Sequence, residues 1–228
     1  KLKMSAIKVA SGEITHWPLL KSIAIKSKLE NIPVFLSTGM STLGEIEEAI
    51  QIFLDEGINR KKITLMHCLS AYPAPPEELN LRSITTLKNA FGCNVGYSDH
   101  TLGIIAPIIA VTLGASVIEK HLTLDRKLPG PDHTSSLEKE EFSELVRQIR
   151  NCESMLGDGI KRPQESEKDT LSVARRSLRV SRDLKKGDIF NEDNLVCKRP
   201  ANGMSAMKYP NFLGKIAQRD YEEGECVD

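Results

Sequence analysis

Short apolar runs alternate with amphipathic stretches through the first two-thirds of the 228-residue chain. In Thr42–Asp55, apolar residues recur at the three- and four-residue spacing of one helix face. Five strand–helix units in series predict a parallel sheet with helices outside it. The predicted strands are Ile7–Ser11, Val34–Ser37, Ile63–Ser70, Asn94–Ser98 and Ser116–Leu122, and the helices after them are Leu19–Leu29, Thr42–Asp55, Leu79–Ala90, Ile104–Leu113 and Lys139–Leu156.

Five units are too few to close an eight-stranded barrel. The sheet is therefore expected either to be open or to continue into strands that precede Lys1. Each predicted strand ends in polar or small residues, and active sites of such folds form at the carboxyl ends of the strands. The alternative is that these residues only cap the following helices.

The pattern changes after Leu156. Gly157–Lys168 is polar, with glycines and a proline, and indicates a linker. Beyond it, short strand-like runs are broken by turns, which predicts a small, mostly β domain. The predicted parts are thus residues 1–156, a linker over 157–168 and a domain over 169–228. The strand-like runs are Leu178–Val180, Lys185–Asp188, Leu195–Lys198, Pro200–Gly203 and Glu222–Glu225.

Composition narrows the function classes. Lysine and arginine number 31, as do aspartate and glutamate, so no net charge attracts nucleic acid or an anionic membrane. The five cysteines include no CxxC pair, so a reduced, cytoplasmic setting is expected. The longest apolar run, Ile104–Ile118, is too short to span a bilayer. A small anionic ligand would have to be held by local donors.

Two histidines, His100 and His121, follow successive predicted strands beside Asp99 and Glu119. Imidazoles beside carboxylates suit a divalent ion such as Mn²⁺, Zn²⁺ or Fe²⁺. The alternative is that each imidazole caps a helix or hydrogen-bonds a carboxylate.

Donors stand at three different predicted strand ends. If they converge, one ammonium and several hydroxyls would hold a phosphate; taken singly, they are ordinary surface and turn residues. These donors are Lys8, Ser11, Ser37 and Ser98. In the rigid turn Leu128–His133, Asp132 would accept from sugar hydroxyls or close an Asx-turn. Tyr72 is a sugar contact or a packed ring.

Seven motifs occur in a fixed order: Lys8–Glu13, Leu36–Met40, His67–Pro73, Gly96–Thr101, Glu119–Thr123, Gly130–His133 and Lys198–Gly203. The first six resemble the N-acetylneuraminate (sialic acid) synthase family, and the seventh resembles the signature of its C-terminal antifreeze-like (SAF) domain. The resemblance covers essentially the whole chain. It implies an α/β fold, a (β/α)₈ TIM barrel with strands four to eight present here, followed by a small, mostly β antifreeze-like domain.

The resemblance also implies the site. His100 and His121 would hold a divalent metal, with Mn²⁺ the usual ion and Mg²⁺ or Co²⁺ as alternatives. With Lys8 they form the expected catalytic group, together with Glu119, which would transfer a proton or orient a histidine. Ser70 stands where some relatives have asparagine. Expected contacts to phosphoenolpyruvate are Lys8, Ser11, Ser37, Ser70 and Ser98, and those to the amino sugar are Glu13, Tyr72, Asp132 and Arg199.

The implied activity is that of a transferase. It condenses phosphoenolpyruvate with N-acetylmannosamine and water, giving N-acetylneuraminate and phosphate with C–O cleavage. The implied partner is a second copy, since Arg199 matches an arginine that one subunit inserts into the other barrel of a domain-swapped homodimer. Alternatives are a legionaminic or pseudaminic acid synthase that uses a diacetamido-trideoxyhexose, and a non-catalytic sugar-binding module. The family's first three strands supply a catalytic glutamate and a lysine, so this chain by itself is expected to be inactive.

Overall fold

The computed structural model describes residues 4–228 and divides after Gly159 into two compact units. We call the first the sheet unit and the second the small unit. In the part of the chain that is described, no helix combines the length and the apolar character needed to cross a bilayer.

The sheet unit contains one parallel sheet whose five strands lie side by side in chain order, each followed by a helix. Apolar side chains of the first four strands and the first four helices form one continuous core. The strands are β1 (Ile7–Val9), β2 (Val34–Ser37), β3 (Ile63–His67), β4 (Asn94–Asp99) and β5 (Val117–Lys120). The helices are α1 (Trp17–Glu30), α2 (Leu43–Asp55), α3 (Ser83–Phe91), α4 (Ile105–Thr112) and α5 (Lys139–Leu156).

Local sequence explains how α2 begins. The Glu45 amide donates to the Thr42 hydroxyl at 3.3 Å, and the Thr42 amide donates to the Glu45 carboxylate at 2.7 Å. This capping box satisfies backbone donors that the first helical turn leaves free. The helix then buries Ile46, Ile50 and Phe53 against the sheet, as the apolar spacing predicts.

Two predicted boundaries differ from the structure by three or more residues. Helix α3 begins at Ser83 and not at Leu79, because Pro76–Glu78 forms a separate 3₁₀ turn. Strand β3 ends at His67, and the residues up to Ser70 belong to the following loop. Both differences place more polar side chains in the loop after β3 than the sequence pattern indicates.

The small unit is held by a short antiparallel pair, β6 (Ser177–Val180) and β7 (Leu195–Lys198). Isolated bridges, such as the one between Leu184 and Tyr221, extend the pairing. Leu178, Phe190 and Tyr221 belong to a core separate from that of the sheet unit. A small antiparallel sheet thus replaces the larger set of strands that the sequence suggests.

The other three strand-like runs are turns or bends and not strands. Gly187 and Gly224 have φ of 101° and 82°, which turns the chain sharply inside two of these runs. Two short helices were not predicted, α6 (Lys168–Ala174) and α7 (Tyr209–Phe212). Neither buries a residue, so neither shows the apolar period that would have revealed it.

Candidate active site

Side chains from both edges of the sheet meet at its carboxyl end. The Lys8 Nζ lies 3.4 Å from the Glu119 Oε1, and the Ser98 hydroxyl donates to the same oxygen at 2.6 Å. Lys8 is on β1 and Glu119 on β5, the two outer strands of the sheet. Contact between opposite edges requires a strongly curved sheet, as in part of a barrel. Curvature therefore brings residues far apart in the sequence into one group.

Next to this group are the two imidazoles. The ring centroids of His100 and His121 lie 5.5 Å apart, with the rings edge to face. The Tyr72 ring contacts both, at centroid distances of 4.1 Å and 5.7 Å. Burial, followed by the negative charges near it, raises the pKa of Tyr72. The Asp132 Oδ2 lies 4.0 Å from the His121 Nδ1.

The orientation of His100 is fixed by its hydrogen bonds. Its Nδ1 lies 2.7 Å from the Leu69 carbonyl oxygen, which only accepts, so Nδ1 carries the hydrogen. The Nε2 then presents a lone pair, 3.5 Å from the Ser98 hydroxyl. Burial lowers the pKa of His100, which favours the neutral imidazole that metals bind.

The donor types fit a divalent ion, while the number of ligands is small. Two neutral imidazoles by themselves suit Fe²⁺ or Zn²⁺, and Mn²⁺ would need oxygen ligands beside them. Between residues 4 and 228, no group of three or more histidine, cysteine, aspartate or glutamate side chains is placed to hold a metal. The described residues thus offer His100 and His121 as two nitrogen ligands.

A second polar group surrounds Gly39, just after β2. The Gly39 amide donates to the Ser11 hydroxyl at 3.2 Å, and that hydroxyl lies 3.1 Å from the Cys68 sulfur. A Cβ at Gly39 would lie 2.5 Å from the Ser70 Oγ and 2.8 Å from the Ser11 Oγ. Only glycine therefore permits this close approach. Sequence reasoning missed Cys68, for which the residue pattern carries no signal.

Three predicted site residues lie outside these two groups of contacts. Ser37 is buried at the end of β2. Glu13 pairs with the nearby His16, Oε2 to Nδ1, at 2.8 Å. Arg199 belongs to the small unit, where it is exposed and its Nε donates to the Ala174 carbonyl at 2.7 Å.

Two family models and several known proteins match this chain. The NeuB family model matches residues 1–161, and the SAF domain model matches residues 175–228. The N,N'-diacetyllegionaminic acid synthase of Campylobacter jejuni is 51% identical over 227 residues, which cover 100% of this chain and 67% of that protein. The enzyme of that name from Legionella pneumophila is 41% identical, covering 99% and 63%.

A solved structure is similar as well. The N-acetylneuraminic acid (sialic acid) synthetase of Leptospira borgpetersenii superimposes with a TM-score of 0.66 at 38% identity, covering 74% of this chain and 56% of that one. The chain spans about two-thirds of the length of the curated relatives it matches. The two family matches and the parallel strands confirm the predicted fold, part of an α/β barrel followed by an antifreeze-like domain.

Proposed function

The chain belongs to the NeuB family, and from that premise we propose that it forms part of a legionaminic-type sugar acid synthase. The proposed reaction joins phosphoenolpyruvate to a diacetamido-trideoxyhexose with water and releases phosphate. The observation that carries the proposal is the 51% identity, along the whole chain, to the Campylobacter jejuni synthase. This acceptor has stronger support than N-acetylmannosamine, the acceptor of the main sequence-based prediction, which the Leptospira relative favours at 38% identity.

The reaction forms a bond between C3 of phosphoenolpyruvate and the aldehyde carbon of the sugar. Water adds at C2, and the C–O bond to phosphate breaks. We assign the anion to the ammonium of Lys8 and the hydroxyls around Gly39, because a neutral protein needs local donors for such a ligand. Holding both reactants face to face converts an encounter of two molecules into a reaction within one complex.

The proposed metal ligands are the Nε2 of His100 and the imidazole of His121. A divalent ion there, Mn²⁺ in our proposal, would supply Lewis-acid polarisation of the aldehyde oxygen. The Leu69 carbonyl orients the His100 ring, and the Asp132 carboxylate lies 4.0 Å from the His121 ring nitrogen. Glu119 contacts Lys8 and Ser98, so we assign it to positioning these two donors.

We also propose a domain-swapped homodimer, in which Arg199 of one subunit recognises the acyl group of the sugar bound by the other. The exposed guanidinium and the match to a SAF domain support this assignment. Light scattering tests the dimer. Arg199→Ala is expected to raise the KM for the sugar at least tenfold while the KM for phosphoenolpyruvate stays the same.

The activity is tested by phosphate release from phosphoenolpyruvate, using the natural full-length polypeptide that contains these residues. Each reaction contains Mn²⁺ or EDTA, and the diacetamido-trideoxyhexose, N-acetylmannosamine or no sugar. Mn²⁺-dependent release with the diacetamido sugar is the expected result. Release only with N-acetylmannosamine would make the protein a sialic acid synthase. No release under any condition would favour the non-catalytic sugar-binding module.

A further inference from the structure

Behind the two histidines lies a buried ion pair that the proposed chemistry does not use. The Lys120 Nζ lies 2.6 Å from the Asp99 Oδ2, and their side chains are 1% and 0% exposed. Asp99 directly precedes His100, and Lys120 directly precedes His121. The register of β4 and β5 places Asp99 opposite Lys120. Because successive strand residues point to opposite faces, the pair lies on the helix side of the sheet, away from the imidazoles.

The pair also fastens the backbone that follows His100. The Asp99 Oδ1 accepts from the Thr101 amide at 2.9 Å and from the Tyr97 hydroxyl at 3.1 Å. The Lys120 ammonium donates to the Thr101 carbonyl oxygen. Both backbone groups of Thr101 are therefore held, one by a β4 side chain and the other by a β5 side chain. This ties the residue after His100 to the residue before His121.

Stability by itself does not account for such a pair. Removing two charges from water costs free energy that their attraction barely offsets, and apolar residues of similar size often serve as well. Lys120 lines a cavity together with apolar side chains that include Val111, Phe142 and Leu145, which offer its ammonium no hydrogen bond. A fixed geometry is what an ion pair supplies and an apolar pair does not.

The geometry that it fixes is the spacing of the two imidazoles. The Leu69 carbonyl sets the rotation of the His100 ring. The distance between the two rings also depends on how far one strand end is displaced along the other. Metal–ligand distances tolerate only about 0.2 Å of error. We propose that Asp99 and Lys120 are positioning residues that hold His100 and His121 at the separation a divalent ion requires. This inference rests on the proposed metal site.

The test measures Mn²⁺ binding directly, by the paramagnetic resonance signal of free Mn²⁺, in the full-length protein and its variants. Lys120→Met and Asp99→Asn are each expected to weaken Mn²⁺ binding about 10- to 100-fold, as loss of the partners of metal ligands does. The double variant should bind no more weakly than the poorer single variant, because both changes break one interaction. The matched control is Lys21→Met, which removes the partly buried Lys21–Glu56 pair elsewhere in the sheet unit. It should leave Mn²⁺ affinity within twofold of the unsubstituted protein.

Tyr97→Phe is a milder variant for the case in which the charge substitutions unfold the protein. It deletes one hydrogen bond to Asp99 and changes no charge. It should fold and weaken Mn²⁺ binding by a smaller factor, with the KM for phosphoenolpyruvate unchanged. If the unsubstituted protein binds Mn²⁺ and both Tyr97→Phe and Asp99→Asn bind it equally well, with only their melting temperatures lowered, the pair is structural and the inference is wrong. If the unsubstituted protein binds no Mn²⁺, the proposed metal site fails, and the inference fails with it.

Discussion

Both units carry exposed ion pairs, but the sheet unit also buries one. In the sheet unit, the buried Asp99–Lys120 pair and the Lys8–Glu119 contact each join distant parts of the chain at strand ends. In the small unit, ion pairs such as Lys185–Asp220 lie on the exposed surface. Exposed pairs contribute little, whereas buried ones are costly to break. Substitutions at the strand ends should therefore affect function strongly, and those on the small unit's surface should affect it weakly.

The largest effect is expected from His121→Ala. Loss of one of the two proposed nitrogen ligands should abolish Mn²⁺-dependent phosphate release, with the melting temperature of the metal-free protein nearly unchanged. Phosphate release measured over a Mn²⁺ titration checks this, and circular dichroism verifies the fold. Activity retained by this variant would overturn the metal assignment and remove the main functional distinction between the two units.

The next largest effect, on the free energy of unfolding, is expected from substitutions in the separate cores of the two units. Leu178 is fully buried in the small unit, and Leu36 is fully buried in the sheet unit. Leu178→Ala should lower the free energy of unfolding of the small unit by about 2–5 kcal/mol, since it removes apolar contacts and leaves a cavity. Hydrogen exchange of amides in the two cores measures each unit separately.

In the Leu178→Ala variant, exchange should accelerate in β6 and β7, and in Leu36→Ala it should accelerate in β1 to β3. Equal acceleration in both units for either variant would contradict independent cores.

How well the sequence predicts the structure of each unit depends on how far apart in the sequence the contacting residues are. The capping box of Thr42 and Glu45 and the apolar face of α2 are local, so the pattern predicts that helix correctly. The Lys8–Glu119 contact depends on curvature of the whole sheet, which no local pattern contains. Lys120 looks like an exposed lysine in sequence because its partner, Asp99, lies on the neighbouring strand.

The small unit shows the opposite difficulty. Its short elements are set by turns, and α6 buries nothing that would reveal a period. The strand-like runs at Lys185–Asp188 and Glu222–Glu225 have suitable composition, but a glycine at positive φ turns each of them back. Here the error comes from backbone conformation and not from missing long-range contacts.

A substitution at the closely packed Gly39 should have a smaller, local effect on substrate binding. In Gly39→Ala, the new methyl group would displace the Ser11 and Ser70 hydroxyls, which it would approach within 2.8 Å and 2.5 Å. The KM for phosphoenolpyruvate should rise about tenfold, which corresponds to about 1.4 kcal/mol, and kcat should change less. Gly12→Ala is the matched control, because a Cβ there meets no described atom within 4 Å. An equal KM in the two variants would remove the hydroxyls around Gly39 from the proposed anion site.

The smallest effect is expected at the small unit's surface. The Lys186 amide and the Lys185 ammonium lower the pKa of Asp220 below its ordinary value of 3.8. A carboxyl group with a depressed folded-state pKa stabilises the fold above its unfolded pKa, and this contribution disappears as pH falls through the folded value. Asp220→Asn should therefore lower the urea midpoint slightly at pH 7 in low salt and make no difference in strong acid. Glu192→Gln, at another exposed carboxylate of the same unit, is the control. A large loss of stability at pH 7 that persists in high salt would show that this pair acts like the buried one at the strand ends, and the contrast between the two units would fail.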